Sequence, residues 1–149
     1  MNAIDMLKEE HQGAKKAMNE VASSSGPARK QLFTALKAEL EMHDRIEETV
    51  FYPALKSHPQ ASGLQGADKA AHEAVEKELA KLAMLSVEDA SWLPDFKAMQ
   101  SKLLKHIEDE ETNIFVKVKS VLTANELSDL GSKMKASKAE KMKLAGSKS

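Results

Sequence analysis

Two segments of the chain share one pattern. Residues 43–49 read HDRIEET and residues 106–112 read HIEDEET, so both follow HxxxEET. The spacing from His43 to Glu47, and from His106 to Glu110, places each pair on one face of a helix, one turn apart. The repeat therefore predicts two related helices, each presenting an imidazole and a carboxylate side by side.

A single histidine precedes each of these segments at a similar distance. His11 lies 32 residues before His43, and His72 lies 34 residues before His106. The chain is therefore predicted to contain two helix pairs, each with one isolated histidine and one HxxxE pair, related by a pseudo-twofold axis.

The apolar residues around these positions recur with a period near 3.5, and no segment alternates with period 2. Residues rich in Ser, Gly and Pro interrupt this pattern near positions 23–27 and 57–66, and a softer break lies at 85–89. Four long amphipathic helices with short connections are typical of an up-down-up-down four-helix bundle. The predicted helices span residues 3–22, 28–56, 65–84 and 91–121.

A capping box marks a further helix start near the end of the chain. Thr123 and Glu126 have the spacing of this motif. The sequence thus predicts an all-α protein in which residues 1–122 form the bundle. Residues 123–149 are predicted to form a short fifth helix, with Gly131 as a break, and a Lys-rich tail.

Composition narrows the possible functions of a chain of this size. The 149 residues carry 22 Lys and Arg against 23 Asp and Glu, a net charge of −1, which gives no electrostatic reason to expect a nucleic-acid partner. The absence of cysteine excludes disulfides and thiolate metal ligands. No apolar run approaches the roughly 20 residues of a membrane span, and we expect a cytoplasmic protein without a membrane partner.

Polar residues interrupt the apolar helix faces at corresponding positions. A buried charge is costly unless it is paired or binds a metal ion, so several titratable groups directed into one core need a common explanation. We interpret them as metal ligands: His11, His43, Glu47, His72, His106 and Glu110.

The donor types restrict the choice of metal. Imidazole and carboxylate ligands without thiolate suit Fe, Zn or Mn, and carboxylates that can bridge favour a pair of ions. A ferritin-type site would need Glu three residues before each histidine, but Leu40 and Leu103 occupy those positions. The pattern therefore favours two Fe ions in an oxo- or carboxylate-bridged di-iron centre.

These residues make residues 1–121 resemble the hemerythrin-like proteins, the HHE cation-binding domain family. The resemblance implies a non-haem di-iron centre in which Glu47 and Glu110 match the bridging carboxylates. It also implies a role in binding O2 or NO, sensing oxygen or iron, repairing iron centres or handling peroxide.

The chain departs from the oxygen carriers of this family on the third helix. Those proteins have HxxxH there, whereas this chain has His72 followed by Glu76. Glu76 is therefore a possible additional ligand. An added carboxylate favours the ferric state, which weakens the case for reversible oxygen carriage and strengthens the case for oxidase, peroxidase or sensing chemistry.

Three functions remain open at this point. The first is a non-haem di-iron protein that binds or senses O2, NO or peroxide. The second is a di-iron oxidoreductase with peroxidase-like, catalase-like or NO-reducing activity, and the third is iron storage or donation. No catalytic residue, electron donor or protein partner is assigned by the sequence.

Residues beside the predicted ligands receive more ordinary interpretations. Glu48 and Glu111 are predicted to be exposed or to hold the ligating imidazoles in place. Tyr52, five residues after Glu47, is predicted to pack in the core or an interface away from the ligand face, because five residues of α-helix rotate it about 140° from Glu47. A kink at Pro53 is the alternative that would bring it near the site.

Overall fold

The protein, described from a computed structural model, is helical throughout its regular elements over residues 1–147; side chains are described for residues 1–144. The predicted all-α four-helix architecture is confirmed. The α-helices are α1 (Ala3–Ser23), α2 (Gly26–Ile46), α3 (Tyr52–Ala54), α4 (Gln65–Ala83), α5 (Trp92–Asp109), α6 (Phe115–Val121) and α7 (Ala124–Ser147).

The bundle has four rods: α1, α2 with α3, α4, and α5 with α6. Two π-helical turns interrupt the second and the fourth rod. Turn π1 (Glu47–Phe51) joins α2 to α3, and turn π2 (Glu110–Ile114) joins α5 to α6. Both begin at the glutamate of HxxxEET. In each turn the threonine of the motif donates a hydrogen bond to a backbone carbonyl four residues earlier, 2.7 Å from Thr49 and 2.8 Å from Thr112. Turns of this kind are rare and frequently occur at functional sites.

The core consists of two apolar clusters with a polar layer between them. Leu7 and Phe115 belong to the cluster near the start of α1, whereas Ala14 and Leu103 belong to the cluster toward the α1–α2 connection. His11 lies on α1 between Leu7 and Ala14, so its turn of the helix marks the level of the polar layer. The four rods therefore bury ionisable residues halfway along the bundle.

Helix α7, which corresponds to the predicted short fifth helix, is longer than predicted. It begins at the predicted capping box, in which Thr123 and Glu126 exchange backbone and side-chain hydrogen bonds of 3.0 and 3.1 Å. Its apolar face packs in the cluster near the start of α1 (the upper core) through Leu127, Leu130 and Met134. Residues 148–149, the end of the predicted Lys-rich tail, lie outside the described residues.

Gly131 does not break α7, contrary to the prediction. A Cβ atom built there would lie 2.5 Å from the backbone oxygen of Met1 and 2.9 Å from the backbone nitrogen of Ala3. The glycine therefore allows α7 to cross closely over the start of α1, and the helix continues because tertiary packing outweighs the low helix propensity of glycine.

No helix in the described part of the chain is both long enough and apolar enough to cross a membrane. The cytoplasmic location stays a prediction.

Candidate metal centre

The structure brings the six predicted ligands together in the polar layer. Each histidine directs a ring nitrogen at a central glutamate. The distances from Nε2 of each histidine to the nearer of the two central glutamates are 3.0 Å from His11 to Glu110, 2.9 Å from His43 to Glu47, 3.2 Å from His72 to Glu47 and 3.2 Å from His106 to Glu110. Both glutamates are fully buried.

The ligands divide into groups whose donor atoms could each hold one metal ion. His11 and His43 form one group with Glu110, and their rings lie 5.0 Å apart. His72 and His106, with rings 5.1 Å apart, form another group with Glu110 and a further carboxylate described below. Glu110 therefore belongs to both groups, with Oε1 facing His11 and Oε2 facing His106.

Several potential metal-ligand atoms in this layer are buried without hydrogen-bond partners. The atoms concerned are both carboxylate oxygens of Glu47 and of Glu110, Oδ1 of Asp68 and Nε2 of His72. Leaving such groups unpaired costs about 1–3 kcal/mol each, more for charged groups. Each of these residues has a ligand atom about 3 Å from a histidine nitrogen or a carboxylate oxygen of the layer, for example 3.2 Å between Nε2 of His72 and Oε1 of Glu47 and 3.0 Å between Oδ1 of Asp68 and Nε2 of His106. This is the spacing of ligands that share an ion at about 2.1 Å. A cation would satisfy all of them, so the residues fit a metal site.

Asp68 is a member of this centre that the sequence analysis did not assign. It is 1% exposed, and its carboxylate lies 3.0 Å from Nε2 of His106 and 3.3 Å from Nε2 of His72. The signal was present in the sequence, because Asp68 precedes His72 by four residues on the inward face of α4. Glu76, four positions after His72, was the residue named as a possible additional ligand on this helix.

Glu76 is half-buried and lies outside the groups of potential metal ligands found among the described residues. On α4 the carboxylate that lies within such a group is that of Asp68. Asp44 also approaches the centre, since it is 8% exposed and forms a third group with His43 and Glu47.

Tyr52 lies at the centre, contrary to the prediction that it packs away from the ligand face. Its hydroxyl donates a hydrogen bond to Asp68. The reason is turn π1, in which the backbone N–H of Tyr52 bonds to the carbonyl of Glu47, five residues earlier. In a π-turn residues five apart share a face, so Tyr52 follows Glu47 into the core.

The same geometry places Phe115 after Glu110. The backbone N–H of Phe115 bonds to the carbonyl of Glu110, and the phenyl ring stacks on the imidazole of His11 at 5.7 Å. Phe115 thus corresponds to Tyr52. The two halves of the centre are alike in backbone but not in side chain, since one half has a hydroxyl where the other has a bare ring.

Carboxylates outside the centre hold the remaining ring nitrogens. Nδ1 of His11 lies 2.7 Å from Glu111, and Nδ1 of His72 lies 3.3 Å from Glu48. The predicted orienting role of Glu48 and Glu111 therefore has the required geometry. An Nδ1–H donated to a carboxylate leaves Nε2 free to bind a metal and raises its basicity.

Glu10 performs this function for His43 and was not assigned from the sequence. Its Oε1 lies 2.8 Å from Nδ1 of His43, and its Oε2 accepts from Nζ of Lys138 on α7 at 2.8 Å. Burial would raise the pKa of Glu10, but His43 and Lys138 hold the pKa at about 2. At the corresponding position before His72 stands Ala71, so this contact is specific to one half.

Crowding of buried carboxylates shifts the pKa values in the metal-free centre. Burial, followed by the charges of Glu47 and Glu110, raises the pKa of Asp68 to about 9. Burial also raises the pKa of Asp44 to about 7. Burial alone would lower the pKa of His72, but the close carboxylates of Glu47 and Asp44 raise it to about 10.

These shifts predict that the metal-free protein loses stability as the pH rises. The folded-state pKa values of Asp44, Asp68 and His72 all exceed those of the unfolded chain, so each contribution declines as the pH rises from the unfolded to the folded pKa. The contribution of Asp44 is lost by about pH 7, whereas those of Asp68 and His72 decline further, up to about pH 9 and about pH 10. We expect the melting temperature of the chelator-treated protein to fall by about 5–10 °C between pH 7 and pH 10.

Thermal denaturation followed by circular dichroism at several pH values measures this fall. The control is the metal-loaded protein, in which bound cations replace the protons and the fall should be smaller. A melting temperature of the metal-free protein that stays constant or rises over this range would contradict the prediction.

The fold and the polar layer define a class of protein. A four-helix bundle that directs one histidine or one HxxxE pair from each rod to a buried layer is a cation-binding bundle. The hemerythrin HHE cation-binding domain model matches residues 2–118. The chain belongs to this family, as the resemblance stated above implied.

Relatives from mycobacteria resemble the chain over most of its length. The uncharacterized protein Rv2633c of Mycobacterium tuberculosis (strain H37Rv) and the uncharacterized protein Mb2666c of Mycobacterium bovis are each 30% identical to it over 139 residues, covering 91% of this chain and 84% of theirs. The crystal structure of an HHE domain-containing protein from Mycobacterium kansasii, a homolog of Rv2633c, superposes with a TM-score of 0.84. That structure has 29% identity and covers 94% of this chain and 86% of its own.

Proposed function

We propose that this chain is a non-haem di-iron protein that binds or senses O2, NO or peroxide. One observation carries the proposal: the buried carboxylate and imidazole atoms without hydrogen-bond partners meet in two histidine pairs that share Glu110. Imidazole with carboxylate and no thiolate suits iron, and a shared carboxylate suits two ions.

The charges of the layer support two divalent cations. Glu47, Glu110, Asp68 and Asp44 are buried together, and four anions in one layer are too costly without compensation. Two divalent cations would balance them. His11 and His43 would hold one ion, and His72, His106 and Asp68 the other, with Glu110 between them.

The residues around the centre would control what reaches the ions. Bound iron supplies electrons to small oxygen or nitrogen ligands. Leu7, Leu40 and Leu103 are at most 6% exposed and surround the layer, so they restrict water. The hydroxyl of Tyr52 and the carboxylate of Asp68 hold a proton at the edge of the centre.

Turnover of peroxide is the second candidate function, and Asp68 favours it. The group of potential ligands on α4 contains the carboxylate of Asp68 besides His72, whereas the oxygen carriers of the family have two histidines on this helix, and carboxylate ligands favour the ferric state. We therefore propose redox turnover or sensing in preference to stable oxygen carriage. Iron storage or donation has no observation in its favour beyond the metal site itself.

Metal analysis and optical titration test the proposed function. The reconstituted protein is expected to hold about two iron ions per chain, one for each pair of histidines. Anaerobic reduction, followed by separate titration with O2, NO and peroxide, should give distinct visible spectra. One zinc ion per chain would overturn the di-iron assignment, and a stable, reversible O2 adduct would overturn the preference for turnover or sensing.

A further inference from the structure

A cavity leads from the protein surface to one side of the metal centre. Its volume is about 530 Å³, and its lining includes three site histidines, His11, His43 and His106. The lining also includes exposed residues of α2 and α7, among them Ala38 and Met142. The cavity therefore connects the solvent to the ligand cluster.

The size of the cavity exceeds the requirement of a diatomic ligand. One water molecule occupies about 30 Å³ in the liquid, and O2, NO and hydrogen peroxide are of comparable size. Pockets for organic molecules have volumes of about 300–1,000 Å³ and are lined mainly by apolar groups. The dimensions are those of a site for an organic ligand.

The lining changes character along its length. Besides the histidines, its buried wall is formed by Ala14, Leu40, Leu103 and Ile107, all at most 6% exposed. An aliphatic or aromatic group would displace water from this wall favourably. The polar end of such a ligand would then lie beside the histidines.

The charges at the cavity favour a neutral ligand. Glu10, Glu39 and Asp44 contribute carboxylates to the lining, and Lys138 is the basic residue among the lining residues. The ammonium of Lys138 is paired with Glu10 at 2.8 Å. A ligand with a carboxylate would therefore be repelled by these acidic residues, and the ammonium of Lys138 that could attract it is already paired with Glu10.

We infer that this cavity binds a neutral organic hydroperoxide, with its hydrocarbon part along the apolar wall and its peroxide group toward His43 and His106. The inference rests on the proposed function, from which it takes the peroxide chemistry. Reduction of such a molecule breaks the O–O bond and yields an alcohol and water. It consumes two protons from solvent and two electrons, which two ferrous ions supply as they become ferric.

Calorimetry with cumyl alcohol, the unreactive alcohol that corresponds to cumene hydroperoxide, tests the binding site in the full-length protein. We expect saturable one-to-one binding. The variant Ala38→Trp adds a large side chain to the exposed end of the cavity and should weaken binding about tenfold. Gln31→Trp is the matched control, since Gln31 is exposed on the same helix two turns earlier and does not line the cavity.

A second measurement compares two oxidants on the reduced, iron-loaded protein. Ala38→Trp should lower the rate of oxidation by cumene hydroperoxide, relative to the rate with hydrogen peroxide, by about tenfold. The small oxidant still passes the partly filled cavity. Gln31→Trp should leave this ratio unchanged.

The outcomes separate this inference from the proposed function. Failure of the wild-type protein to bind cumyl alcohol saturably, or an unchanged ratio of rates in Ala38→Trp, would overturn the inference while the iron centre stands. Binding of cumyl alcohol by a protein that takes up no iron would overturn the proposed function, because the cavity would then serve another chemistry.

Discussion

Replacement of Glu110 by alanine is expected to abolish metal binding at both positions of the centre. Glu110 belongs to the group of His11 and His43 and to the group of His72, His106 and Asp68. Its two oxygens are buried without hydrogen-bond partners. The variant should therefore fall from about two bound metal ions per chain to nearly none, since each histidine pair loses its shared carboxylate.

The stability of the Glu110→Ala variant should cease to respond to metal. A ligand at a thousand times its dissociation constant stabilises the fold by about 4 kcal/mol, or about 10 °C in melting temperature for a chain of this length. The wild-type protein should show this rise when iron is added. The variant should melt at one temperature with or without iron, because a protein that no longer binds the metal gains no stability from it.

The control for this experiment is Glu108→Ala. Glu108 is an exposed glutamate two residues earlier on α5, and its replacement should leave metal content and metal-dependent stability unchanged. Full metal content in Glu110→Ala, measured by elemental analysis, would show that Glu110 is not a shared ligand.

The second large effect is expected from Gly131→Ala. The new Cβ atom would lie 2.5 Å from the backbone oxygen of Met1, closer than atoms in van der Waals contact, and both partners are backbone. Helix α7 must therefore move away from α1, which loosens Leu127, Leu130 and Met134 in the upper core. Strain of this kind costs about 1–3 kcal/mol, so the melting temperature should fall by about 5 °C.

Gly13→Ala is the control that separates this contact from helix propensity. A Cβ atom at Gly13 meets nothing within 4 Å, so alanine there should stabilise α1 by about 0.5–1 kcal/mol. Opposite shifts of the two variants in thermal denaturation are the expected result. If both variants gained stability equally, α7 would not cross α1 at Gly131.

The candidate ligands could be predicted because a helix repeats its faces regularly. His11 and His72 each stand alone on an apolar face, and the two HxxxE pairs place donors one turn apart, so periodicity was sufficient to assign them. The four-helix architecture followed from the same periodicity.

The contribution of Tyr52 could not be predicted in this way. The extra residue in turn π1 shifts the residues that follow it by about one position around the helix. The apolar pattern of residues 47–51 does not indicate this shift. Tyr52 and Phe115 occupy the same position after the two copies of HxxxEET. This correspondence points to the site only once the π-turns are known from the structure.

Asp68 presented a different difficulty. A ligand one turn before His72 and a ligand one turn after it are equivalent by periodicity. The choice depends on the level at which α4 meets the other rods, and that level is set by three-dimensional packing. Glu10 was missed because it is adjacent to His11 in sequence and therefore lies on a different face of α1. Its side chain nevertheless reaches His43 on the neighbouring helix.

The unequal surroundings of the two histidine pairs imply that two bound ions would not be interchangeable. The pair on the first two rods has Glu10, Lys138 and the ring of Phe115 beside it, whereas the other pair has Tyr52 and Asp68. One position would then fill before the other as metal is added, so half-loaded and mixed-metal forms should be obtainable by controlled titration. A spectroscopic probe that distinguishes iron sites should record two environments in one chain.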